Sequence, residues 1–128
     1  MHVPQSGIFA LGTSSHSYLE FDLNKDADPL NLVQLVASLQ EPRMTTGGVN
    51  LVVGFRPSLW RKIAPELIPE DVKDFEQPLE GVDGYSMPAT QHDLWFWVAG
   101  SAYNVVFDVT KAAITALAPL ATLASEVA

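Results

Sequence analysis

The sequence has no cysteine, which excludes disulfides, thiolate metal sites and cysteine nucleophiles together. That absence is compatible with a reducing compartment, and a cytoplasmic location is expected. Cations are scarce: seven Lys and Arg stand against fifteen Asp and Glu, for a formal charge of −8. Phosphate backbones and anionic bilayers select cationic faces, so neither nucleic acid nor a membrane is expected as a partner. The chain also lacks an apolar run long enough to span a bilayer, and a basic start followed by an apolar leader. Internal repeats and low-complexity tracts are missing too. What remains is a chain of 128 residues that is 48% hydrophobic, enough for one domain with one core.

Hydropathy patterning divides the chain into four strand-like and two main helix-like segments. Residues 1–15, rich in Gly, Ser and Pro, read as an irregular lead-in. Over residues 17–23 Leu19, Phe21 and Leu23 alternate with Tyr18, Glu20 and Asp22, the signature of a half-buried strand. Asp28 followed by Pro29 predicts a capped helix start, and Leu32, Val33, Leu35, Val36 and Leu39 give its apolar stripe, stopped before Pro42. A loop is expected at residues 45–48. Val49, Leu51, Val53 and Phe55 define a second strand, and Pro57 opens a short helix through Leu59, Trp60 and Ile63. Residues 65–88 form a long acidic connection, of a length that is uncommon inside compact domains and is often functional or covered by a partner. The third strand is residues 94–98, with Leu94, Phe96 and Val98 on one face and Trp95 and Trp97 on the other. A second long helix is predicted from a Ser101 cap to about Leu117, ending near Pro119, with a fourth strand at residues 122–127.

The order β-α-β-β-α-β is that of an α+β, ferredoxin-like unit, a four-stranded antiparallel sheet with both helices on one face. Residues 1–128 are read as one such module. Apolar residues on both faces of the second and third strands predict that the sheet's other face is covered by a second module or subunit, and that the isolated chain associates.

No candidate site meets the requirements of its chemistry. His2, His16 and His92 lack a helical His or carboxylate partner three or four residues away, so no metal ligand set is assigned. Glu66, Glu70, Asp71, Asp74, Glu76, Glu80 and Asp83 lie along the connection and read as a solvated charge run rather than an acid/base pair. Gly81-Val82-Asp83-Gly84 reads as a turn, since no helix follows at once and no phosphate-binding lysine is present. Ser14 and Ser15 lack the context of a nucleophilic serine. No catalytic, cofactor-binding or metal residue is assigned.

Several strings carry a resemblance. They are Gln5-Ser6-Gly7-Ile8, the run from Val52 through Arg56, Pro57 and Ser58 to Trp60, Lys73-Asp74-Phe75, the run from Met87 to Leu94, and Tyr103-Asn104-Val105-Val106-Phe107. In their order and spacing they resemble the N-terminal half of dye-decolourising (DyP-type) haem peroxidases, most closely the compact bacterial subgroup, over residues 5–127. The resemblance implies a protein about twice this length, with two ferredoxin-like modules packed face to face. Haem b would lie mainly in the C-terminal module, held by a proximal histidine. A distal aspartate in a Gly-x-x-Asp-Gly loop and a distal arginine would act on hydrogen peroxide to oxidise dyes and other bulky reductants.

That loop would follow Ala128. Gly81-Val82-Asp83-Gly84 departs from it, being one residue short with Glu80 in place of the first glycine, and preceding the third strand. No catalytic residue is therefore carried over, and the 128-residue chain alone is expected to bind no haem and to be inactive. Its partners are expected to be the C-terminal haem-binding module and further copies of itself. Trp95, Trp97 and Tyr103 are candidates for relaying electrons to bulky substrates, or else core aromatics. The alternative reading is a non-enzymatic ferredoxin-like module that dimerises or binds a hydrophobic ligand through its open sheet face.

Overall fold

The computed structural model describes residues 3–39 and 48–128. Alternation shapes β1 (Ser15–Leu23): Ser17, Leu19 and Phe21 are buried on one face, while Tyr18 and Asp22 are exposed on the other. The strand starts two residues before the predicted point because Ser15 and His16 pair with Gly100 and Ala99. Asp28 caps α1 (Pro29–Ser38) as predicted, its Oδ1 accepting the Leu30 N–H at 3.0 Å. Leu32 and Val36, one turn apart, form the buried stripe of that helix. Its predicted stop at Pro42, most of the loop at residues 45–48, and His2 lie outside the described residues.

The chain continues through β2 (Val49–Phe55), α2 (Pro57–Ile63), the two-residue strands β3 (Leu79–Glu80) and β4 (Ser86–Met87), β5 (Leu94–Gly100), α3 (Tyr103–Leu117) and β6 (Ala121–Val127). The main sheet has the order β2-β5-β1-β6 with every pair antiparallel. Leu19, Phe21, Val49, Leu51, Leu94, Phe96 and Val98 point to one side of it. There they meet Leu32 and Val36 of α1, Leu59 of α2, and Val106, Ala113 and Leu117 of α3. Phe21 and Phe96 pack edge to face at the centre, centroids 5.5 Å apart. The fold is thus the predicted α+β arrangement, with its helices on one face.

Three details differ from the sequence reading. Ser101 is not the cap of α3: β5 runs on to Gly100, Ala102 takes the N-cap position without a side-chain bond, and the Ser101 carbonyl accepts the Ser14 hydroxyl. The long connection is not one loop, since β3 and β4 pair within it as a hairpin. The Gly81–Gly84 turn closes that hairpin, with Asp83 and Gly84 both at positive φ and the Tyr85 N–H donating to the Val82 carbonyl. Finally, the lead-in is docked. The Gln5 amide donates to the Val53 carbonyl and accepts the Val53 N–H, both at 2.8 Å, imitating a strand partner on the exposed edge of β2. Gly7 then passes so close that a Cβ would come within 2.9 Å of Val52 Cγ2.

Candidate functional site

Among the described residues, the lead-in covers the face of the sheet opposite the helices only on the β2 side, where Val52 is buried. Across β1 and β5 it presents a row of rings. Cross-strand register sets Tyr18 against Trp97 and Glu20 against Trp95, and Gly54 of β2 lies opposite Trp95, whose ring passes within contact of its backbone. His16, Tyr18 and Trp97 stack mutually with centroids 6.0–6.2 Å apart, and Trp95 continues the row 6.3 Å from Trp97. Trp97 Nε1 donates to His16 Nδ1 at 3.1 Å, which fixes the histidine tautomer with its proton on Nε2. Trp95 and Trp97 are therefore half-buried on the outer face, outside the helix-covered core.

At the other end of this face, His92 lies between two carboxylates of β1. Its Nδ1 is 3.0 Å from Asp22 Oδ1, and its Nε2 is 3.4 Å from Glu20 Oε2. Helical i+3/i+4 spacing does not reveal these partners, because they come from a neighbouring strand about 70 residues away in sequence. A cleft of about 240 Å³ opens beside them, lined by Glu20, Phe75, Gln91, His92 and Trp95 among others.

Arg56 forms a second cluster just past the end of β2. Its Nε donates to Asp74 Oδ2 at 2.7 Å, and its Nη atoms reach Glu76 at 3.3 Å and Asp93 at 3.5 Å. Asp74 also accepts the Ser58 N–H at 2.8 Å, so a carboxylate 16 residues downstream supplies the cap that α2 lacks locally. Burial alone would raise the Asp74 pKa, but the bonds from Arg56 and Ser58 outweigh it and hold the carboxyl below its ordinary value. The hydrogen bond to Asp74 is the main reason that the Arg56 pKa is raised in turn.

Asp93 extends the sheet ladder by one rung: its N–H donates to Phe21, its carbonyl accepts from Arg56, and its carboxylate accepts the Leu23 N–H. Gln91 accepts the Phe75 N–H, and Arg61 donates to the Val72 carbonyl. These bonds tie residues 72–76 to the sheet end. The sequence reading of Asp74 as one member of a solvated run is thereby corrected, since its side chain is only 7% exposed. The available signal was the helix start at Pro57, whose N–H groups needed an acceptor that Arg56 could not provide.

Apart from Glu76, which Arg56 holds at the edge of its cluster, the remaining candidates are not brought together. Glu66, Glu70, Asp71, Glu76, Glu80 and Asp83 are exposed. Ser14 and Ser15 serve the start of β1. Tyr103 lies tilted against Phe107 of α3, on the helical side, and so is separated from the tryptophans by the sheet. Among the described residues no cluster of His, Asp and Glu could hold a metal ion, and no helix is long and apolar enough to cross a membrane.

The described residues do not fit a haem. The apolar groove of about 510 Å³ beside α2 is lined by no histidine, and neither is the more polar cleft of about 520 Å³ beside Arg61 and Asp74. The cleft that His92 borders lies below the usual size of a cofactor pocket, and both ring nitrogens of that histidine face carboxylates.

Strand order, helix placement and the half-open sheet define a ferredoxin-like β-α-β-β-α-β module. The chain belongs to the family "Dyp-type peroxidase, N-terminal", whose profile matches residues 5–128. Its family profile and its fold are both those of the N-terminal DyP-type module. Among solved structures it is similar to a variant of DypB from Rhodococcus jostii in complex with heme, with 23% identity and a TM-score of 0.82. It is also similar to a dye-decolorizing peroxidase from Bacteroides thetaiotaomicron, with 16% identity and a TM-score of 0.72. Each likeness covers 98% of this chain but only 42% of the other, so the chain spans about two fifths of the length of these structures. At such identities they speak for the fold alone. No curated protein matches the sequence.

Proposed function

We propose that this module forms one half of the shell around the haem of a hydrogen-peroxide-dependent peroxidase acting on dyes and other bulky reductants. The haem and catalytic groups would be supplied by a C-terminal module outside residues 1–128. The observation that carries this reading is the half-open sheet. One face is closed by helices, while the other leaves Tyr18, Trp95 and Trp97 in a half-exposed row. Family membership supports haem as the cofactor, and the misfit of the described residues to a haem supports placing it in the other half. When bound there, the haem iron would supply the redox chemistry. This chain's own contribution is to exclude water from one side and to hold its partner module in register. A cytoplasmic location agrees with the absence of cysteine.

The test is reconstitution. The purified 128-residue chain is expected to give no defined Soret band on haem titration, and peroxide-dependent dye oxidation is expected only when the C-terminal half is added. Tight, stoichiometric haem binding by the chain alone would overturn this division of labour.

A further inference from the structure

The β3–β4 hairpin projects from the module as an arm: every residue from 76 to 88 is exposed, and Leu79 at its base borders a cleft against Ser58 and Arg61 of the same copy. Leu79 pairs with Met87 and Glu80 with Ser86, and the Gly81 N–H continues the ladder to the Tyr85 carbonyl. Period-two alternation therefore places Leu79, Tyr85 and Met87 on one face and Glu80 and Ser86 on the other. The polar face is closed by a bond from the Ser86 hydroxyl to Glu80. The apolar face is bare, its three residues being 59%, 75% and 61% exposed. A lone two-stranded hairpin is marginal in water, and one with a bare apolar face needs something to lie on.

The same chain carries a receptor of matching character. Between α1, α2 and the edge of β2 runs the groove of about 510 Å³, lined by Val33, Phe55, Trp60 and Ile63 and bordered by Leu67, which is 60% exposed. Charge selects the occupant. At −8, two copies of this chain repel unless their contact pairs opposite charges. The arm offers Asp83 at its turn, whereas α2 carries Arg61 and Lys62 in its last turn and no acid, the nearest acid along the chain being Glu66 beyond the helix end.

We propose that the arm of one copy lays its Leu79–Tyr85–Met87 face in the α1–α2 groove of a second copy, with Asp83 beside Lys62. The contact joins two different surfaces, so it is head-to-tail and propagates to a ring or an open row. It does not rest on the peroxidase reading, since the arm and the groove are both built from residues of this chain.

Because the native chain has no cysteine, disulfide trapping reports the contact directly. Met87→Cys on the arm and Leu67→Cys at the groove rim are both exposed positions, and circular dichroism checks that each variant folds. The two variants, one carrying a mass tag, are mixed in equal amounts and oxidised. The mixed cross-link is expected to exceed its statistical share over the two like pairs. Lys62→Glu in the groove copy is expected to lower the yield about fivefold, and Asp83→Lys in the arm copy to restore it. A statistical mixture, no cross-link, or a mixed cross-link indifferent to both charge reversals would each overturn the proposal.

Discussion

Asp74 is nearly out of solvent, yet it stays ionised because the Arg56 guanidinium and the Ser58 N–H both point at it. Removing Arg56 would leave that charge without its main partner. Breaking a buried pair costs several kcal/mol, but Arg56 is itself 28% exposed, so Arg56→Met is expected to cost about 2 kcal/mol. Arg56→Lys should recover only part of this, since an ammonium cannot span Asp74, Glu76 and Asp93 as the planar fork does. The pH dependence follows from the lowered Asp74 pKa. The unfolded carboxyl titrates near 3.8, and the folded one below it. The stabilisation is therefore complete above the unfolded value and disappears as the pH falls through the folded one. Arg56 stays protonated throughout. Urea unfolding at pH 7 and at pH 3 checks this: the native chain should lose more stability between the two than Asp74→Asn does. Equal losses would show that Asp74 contributes nothing specific.

At the scale of elements, the most economical device is the pairing of Gln5 with the edge of β2. One side-chain amide meets both the N–H and the carbonyl of Val53, at the position where another chain's strand would otherwise dock. Gln5→Ala should cost about 1–2 kcal/mol and speed hydrogen exchange at the Val53 amide, leaving the Asp93 amide, which donates to Phe21, unchanged. Unaltered exchange at Val53 would mean that the lead-in is not held as described. This contact was invisible in the sequence because it joins residues 48 apart and a polar side chain signals no partner. By contrast, β1, β2, β5 and both capped and uncapped long helices were legible, since alternation and 3.6-residue stripes are local properties of the chain. The Asp28 cap and the Asp83–Gly84 turn were readable for the same reason. What escaped were pairs made by topology: Asp74 on the start of α2, His92 between Glu20 and Asp22, and His16 under Trp97. The hairpin escaped for another reason. With two residues per strand, it is too short to show a period.

On the scale of the whole molecule, the two faces of the sheet have opposite relations to water. Leu19, Phe21, Phe96 and Val98 are fully buried beneath the helices, whereas Tyr18 is 37% exposed on the other side and Trp95 and Trp97 are only half-covered. Rings that are stacked on one another but open to solvent are a surface prepared for a partner, because their large apolar area is already ordered and little rotamer entropy is left to lose. If the C-terminal half closes over this face, two of the three tryptophans change environment while the third, Trp60 on α2, does not. Trp60→Phe therefore leaves a chain whose tryptophan emission reports on the outer face alone. Acrylamide quenching of that variant should be efficient for the isolated chain and fall well below that level in the reconstituted two-module protein, measured before haem is added so that energy transfer to the porphyrin plays no part. Trp97→Ser, which removes the centre of the row and its bond to His16, should weaken reconstitution by about 2 kcal/mol in addition to the stability that its lost contacts cost the isolated chain, which thermal unfolding of the variant measures separately. Quenching that stays the same when the two halves combine, in a preparation that gains activity once haem is added, would place the junction elsewhere on the module, with the aromatic row facing solvent.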